Sequence, residues 1–203
     1  MAGRTPETTG TTGASHKVWL HIGMPKTGTT AVQRALYRNR RLLAKRGYFY
    51  PDFGHFQHVA LVRQLAQQAG STVSFPKVGD CGTHERFLDL VDAQRKRPHT
   101  SIVSSEYFFQ RVAFFPGRTE IDDEAFAVLA RTIDETAKYF SGCDVTVVAW
   151  LRRQDNWLMS MYNQTVKGSL YAGDFATFAR HCGGADLLRI VGLWTAKFGR
   201  QHV

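Results

Sequence analysis

The sequence predicts an α/β protein, a three-layer α/β/α sandwich around a central parallel sheet. Three observations predict it. Short apolar runs with β-branched members alternate along the chain with stretches of helical periodicity. No hairpin signal joins any two of the strands, so helical crossovers must connect them. The opening strand passes through a Gly/Thr-rich loop directly into a helix. With 203 residues, 43% hydrophobic and 12% aromatic, the chain can build one domain with a sizeable core.

Residues 1–15 are rich in Thr and Gly and predict a disordered tail ahead of a domain over 16–203. Val18–Ile22 reads as a buried strand and Gly23–Gly28 as a loop. Thr29–Arg46 places Val32, Ala35, Leu36 and Leu43 on one face, a single helix closed by Gly47. Tyr48–His55 is an aromatic loop. Phe56–Ala69 is a second helix ending at Gly70. Thr83–Lys96 is a third, N-capped by Thr83 and stopped before Pro98. Ser101–Ser104 is a second strand, followed by a loop containing Pro116 and Gly117.

Asp122 or Asp123 then caps a long helix with Phe126, Leu129, Ala130, Ile133, Ala137 and Phe140 on one face. Val145–Leu151 is nearly all apolar, the pattern of a parallel strand covered on both sides. Asn156–Lys167 and Ala185–Phe198 are further helices, with a short one near Asp174–His181. Gly199–Val203 looks like the turn into another strand.

The loop after the first strand contains Gly23, Pro25, Lys26, Thr27, Gly28, Thr29 and Thr30. A phosphate site needs these residue types. Glycines let the backbone approach an anion, and the amides of a helix start point at it with the dipole behind them. Lys26 adds a point charge and the threonines add hydroxyl donors. The spacing is not that of a Walker A loop, because Lys26 precedes Gly28 and the loop is shorter. The alternative is an ordinary Gly/Pro turn between a strand and a helix.

Pro25-Lys-Thr-Gly-Thr-Thr30 resembles the 5'-phosphosulfate-binding loop of the sulfotransferase superfamily. Those enzymes bind 3'-phosphoadenosine 5'-phosphosulfate (PAPS) on a P-loop NTPase-like α/β fold without a metal. The resemblance implies that Lys26 contacts the bridging region of the phosphosulfate. Gly28, Thr29 and Thr30 would hold the 5'-phosphate.

A second segment, Trp150-Leu-Arg-Arg-Gln-Asp-Asn-Trp-Leu-Met-Ser-Met-Tyr162, starts at a strand end, where ligands of open α/β sheets bind. Arg152 and Ser160 can reach one phosphate if the helix packs back along the sheet. The other readings are a surface ion pair for Arg152 and Arg153, and a plain exposed serine. The spacing is similar to the superfamily's 3'-phosphate motif, in which an aromatic follows the Ser, here Tyr162. Gln154 stands where many members have Pro, and the run Leu-Arg-Arg-Gln-Asp with Tyr162-Asn-Gln-Thr-Val-Lys167 resembles a bacterial-type branch. Arg153 is able to share the role of Arg152.

Sulfuryl transfer needs a base for the acceptor's proton and cations for the charge on the leaving phosphate. Lys26 is the natural stabiliser of that charge. His58 ranks first as base, Glu106 second and His55 third. The histidines stand at the start of the second predicted helix, and Glu106 follows the second strand. Each has a structural alternative: a capping or packing histidine, or a carboxylate that only accepts nearby N–H groups. His21 reads as strand packing.

The net charge of +9 favours an anionic partner. Much of it lies in Arg34, Arg38, Arg40, Arg41, Lys45 and Arg46. Cys81, Cys143 and Cys182 are odd in number and widely spaced, which predicts free thiols. With no apolar leader or membrane-length run, a cytoplasmic protein without membrane insertion is expected.

The acceptor is expected to be a hydroxyl or amine of a carbohydrate, lipid or small molecule. A small-molecule kinase on the same fold predicts ATP, magnesium and an Asp at a strand end, where this chain has Arg152. A nucleic-acid-binding module predicts a basic stripe with stacking aromatics. Only Tyr48–Phe56 hints at that, and this loop is expected to line the acceptor site instead. Relatives continue past the end of this chain, so the resemblance implies a domain lacking its C-terminal part, with nucleotide binding retained and turnover reduced.

Overall fold

The computed structural model describes residues 15–51, 58–72, 93, 99–109, 123–182 and 185–203. The sheet is parallel throughout and four-stranded, in the order β2-β3-β1-β4. Its strands are β1 (His16–His21), β2 (Tyr48–Phe49), β3 (Thr100–Ser104) and β4 (Cys143–Val148). In chain order the helices are α1 (Thr29–Arg38), α2 (Arg40–Lys45), α3 (Val59–Gln68), α4 (Asp123–Tyr139), α5 (Gln154–Lys167), α6 (Phe175–His181) and α7 (Leu187–Phe198). Helices flank the sheet on both sides, giving the three-layer α/β/α arrangement.

Strand alternation sorts the side chains to the two faces. Val18 and Leu20 of β1, Val103 of β3, and Val145 and Val147 of β4 share one core with Leu61 and Leu65 of α3. Leu129 and Ile133 of α4 and Ile190 and Trp194 of α7 complete it. On the opposite face Trp19, His21, Ile102 and Val148 look toward Val32 and Leu36 of α1 and Leu43 of α2, around an apolar cavity of about 310 Å³.

Several expected boundaries move for local reasons. The single helix over 29–46 is two, because Asn39 stops the first. Its side chain and its backbone N–H both donate to the Ala35 carbonyl, at 2.8 and 3.0 Å, so Asn39 caps the end of the first helix. Gly47, at φ +82°, follows the second helix. The expected strand over 145–151 runs instead over Cys143–Val148. Trp150 and Leu151 lie beyond the end of β4 and are 44% and 52% exposed, so the apolar run overstated the strand.

The aromatic loop contributes the short strand β2 beside β3. The expected turn into a strand after Gly199 is a 3-10 turn, Arg200–His202, with His202 3.9 Å from Asp144 of β4. The expected helix over 83–96 lies, apart from Ala93, outside the described residues, as do the tail over 1–14, Cys81 and the loop at Pro116 and Gly117.

Candidate functional site

The site lies at the C-terminal ends of β1 and its neighbour β4, each of which gives way to a loop and a helix. The β1 loop prolongs the sheet for two more bonds. Ile22 N–H donates to the Val148 carbonyl and Met24 N–H to that of Trp150. Gly23 sits where β1, α1 and the loop converge. A Cβ there would stand 2.5 Å from Thr29 Cγ2 and 2.7 Å from His21 Nε2. Gly28 N-caps α1 at φ +86°, a left-handed conformation that glycine takes without strain. Lys26 takes the same region, at φ +65°, without that freedom.

The loop's carbonyls are held by side chains. Thr27 Oγ1 donates to Met24 at 2.6 Å, Trp157 Nε1 to Pro25 at 2.9 Å and Arg152 NH1 to Lys26 at 3.1 Å. Among the described residues, no hydrogen bond is made by the amides of Lys26, Thr27, Gly28, Thr29 and Thr30. That row of donors at a helix start is the arrangement that binds anions.

Helix α5 lies against the loop through one stripe. Trp157 is fully buried under Pro25, and Gln164 Oε1 accepts from Lys26 Nζ at 2.7 Å. Ser160 is three residues after Trp157 and four before Gln164, so it stands on that stripe between them. Trp157 and Gln164 bond the loop and flank Ser160, the residue expected to bind a 3'-phosphate; the motif did not identify either of them. Their spacing of three and four residues around Ser160 was the available signal.

Arg152 is exposed and touches the loop. Arg153 is spent on Asp155, with bonds of 2.7 and 2.6 Å to the two carboxylate oxygens. That pairing holds the Asp155 carboxyl well below its ordinary range. Tyr162 does not face the loop. Its ring packs among Tyr171, Phe175 and Phe178, and its hydroxyl donates to the Gly173 carbonyl at 3.1 Å.

Glu106 reaches the loop directly. Ser105 follows β3 and caps a 3-10 turn, accepting from Tyr107 N–H, and this sets Glu106 at the strand's end. The carboxylate accepts from Thr29 Oγ1 at 2.6 Å, on the first residue of α1. His58, ranked first on sequence, is buried at 1% exposure beneath Tyr50, with ring centroids 4.7 Å apart. Its Nδ1 accepts from Ser104 N–H at 2.9 Å, so the lone pair a base would use is taken. The geometry therefore puts Glu106 ahead of His58, for want of access at the histidine. His55 lies outside the described residues.

Beneath the loop is a buried polar cluster. His21 Nδ1 meets Ser104 Oγ at 2.7 Å. Burial lowers the His21 pKa to about 4 and raises that of Tyr50 well above its ordinary value. Both groups are thus neutral at working pH and serve as scaffold. Among the described residues no group of three His, Cys, Asp or Glu could hold a metal ion, and no helix is long and apolar enough to cross a membrane. No protein-family model, curated protein or solved structure matches this chain, so its function is read from the loop and its neighbours.

Proposed function

We propose that the chain is a sulfotransferase that takes PAPS as donor. One observation carries the proposal: Arg152, just beyond β4, donates to the Lys26 carbonyl of the helix-start loop, and Ser160 lies on α5, the helix whose Trp157 and Gln164 also bond that loop, so the two residues are candidates for a second anion site. Two sites for anions, one beyond the end of β1 and one beyond the end of β4, would suit a nucleotide phosphorylated at both 5' and 3' positions. ATP would leave the second site unused.

In this mechanism the amides of residues 26–30 and the Thr30 hydroxyl hold the 5'-phosphosulfate, while the Thr29 hydroxyl is donated to Glu106. Arg152 and Ser160 hold the 3'-phosphate. The acceptor oxygen or nitrogen attacks sulfur and forms the new bond. The bond from sulfur to the bridging phosphate oxygen breaks, and Lys26 stabilises the charge that develops on that oxygen. Glu106 takes the acceptor's proton. The products are the sulfated acceptor and adenosine 3',5'-bisphosphate.

Calorimetric titration tests the donor assignment. Adenosine 3',5'-bisphosphate is expected to bind at least tenfold tighter than ATP or AMP, about 1.4 kcal/mol. Equal affinity for the three nucleotides rules the assignment out. Replacing Arg152 by Ala should erase most of the preference for the 3'-phosphate while leaving AMP binding in place.

A further inference from the structure

A trans peptide sets each carbonyl opposite the N–H that follows it. Fixing the carbonyls of Pro25 and Lys26 therefore fixes the amides of Lys26 and Thr27, and turns them away from Trp157 and Arg152. Those two amides open the row of donors at the helix start. The Lys26 backbone, at φ +65°, is in a conformation that an L-residue keeps only when its surroundings enforce it.

Of the groups gripping the carbonyls, Thr27 acts locally and Arg152 is an exposed, flexible side chain. Trp157 differs from both. Its ring is fully buried in the core, and its single donor is committed to Pro25. It ties the loop to α5, the helix that carries Ser160.

We propose that Trp157 is the positioning residue of the anion loop. Its indole N–H holds the Pro25 carbonyl, keeps Lys26 in the left-handed conformation, and aims the Lys26 and Thr27 amides at the bound anion. This rests on the reading of the loop as the phosphosulfate site. It requires only that the loop bind a polyanion, whatever that ligand's 3' end.

Trp157→Phe is the test, because it keeps a buried aromatic ring, though a smaller one, and removes the donor. Binding of inorganic pyrophosphate, which probes the loop without a 3'-phosphate, is measured by calorimetry on the full chain and the variant. A five- to tenfold loss is expected, the share of one buried hydrogen bond, with the melting temperature within a few degrees of the parent. Pyrophosphate binding within twofold of the parent overturns the proposal.

Should the variant not fold, the parent provides the second measurement. The Trp157 indole N–H resonance should exchange slowly with solvent and shift when pyrophosphate binds. A resonance unmoved at saturating pyrophosphate also overturns the proposal. The donor assignment fails by a different result, the lack of any preference for adenosine 3',5'-bisphosphate in the parent chain.

Discussion

Replacing Gly23 by Ala adds one methyl group at the junction of strand, loop and helix. The new carbon would lie 2.5 Å from Thr29 Cγ2, 2.7 Å from His21 Nε2 and 3.0 Å from His21 Cε1. Non-bonded carbons settle at about 3.5–4.0 Å, so roughly 1 Å of room must be found. Neither neighbour gives it freely. Thr29 opens α1 and bonds Glu106 at 2.6 Å, and His21 is held by Ser104 at 2.7 Å. Gly23 is outside the left-handed region, so the penalty is steric and not conformational. Overpacking of this kind costs about 1–3 kcal/mol. In a chain of this size that is a fall in melting temperature of about 3–10 °C.

Because the displaced parts are the strand end and the helix start, anion affinity should fall with stability. Thermal unfolding and pyrophosphate calorimetry measure the two effects. The double variant G23A/T29S removes the offending Cγ2 but keeps the hydroxyl for Glu106. It should recover a good part of both losses. A single variant that melts within about 1 °C of the parent, with a double variant no better, would refute the steric argument.

Glu106→Gln keeps the side chain's size and its bond with Thr29 but cannot take a proton. Turnover should drop by roughly 10²–10⁴, with adenosine 3',5'-bisphosphate affinity nearly unchanged; a variant that transfers sulfate at the parent rate removes Glu106 from the base role. Gln164→Glu sets a carboxylate on Lys26 in place of a neutral amide. Since the pair is exposed, pyrophosphate binding should weaken by no more than about fivefold, and tighter binding would contradict the competition.

Acid should destabilise the fold through His21. Its folded pKa is about 4 against an unfolded value of 6.5, so the unfolded chain holds more protons between those values. Stability is full above pH 6.5 and declines as pH falls toward 4, by about 3 kcal/mol for this group. Urea unfolding across that range should show a shallower decline in His21→Gln than in the parent. Parallel curves would place the acid sensitivity elsewhere.

The fold class was legible because β1, β3 and β4 are compact apolar runs separated by helical periods. Boundaries failed where two signals conflicted. The apolar run through Leu151 continued past the last strand pair, because sequence periodicity cannot show where the partner strand ends. Asn39 was hidden inside an otherwise unbroken helical pattern.

The loop's anion-binding shape could be foreseen from Gly23, Lys26 and Gly28, since these residue types carry the chemistry themselves. Its supports could not. Trp157 and Gln164 act through contacts made across more than 130 residues of chain, and each looks ordinary on its own helix. The order of the base candidates depended on burial. Sequence places His58 and Glu106 near one cleft, while packing buries the first and leaves the second half-buried against Thr29.

The strand order has a consequence for how the site comes into being. β1 precedes the other described strands in the chain, yet it is central, and its partners are β3 and β4, with Val18 beside both Ser101 and Val145. The loop it carries is held from α5, beyond β4. The grips on the Pro25 and Lys26 carbonyls are long-range, so both long closures must form before the amides line up. The loop is then among the last features to mature, and an anion bound there stabilises only the completed domain. Adding pyrophosphate during refolding should slow unfolding and leave the early folding rate unchanged, which makes occupancy of the loop a direct reporter of finished chains.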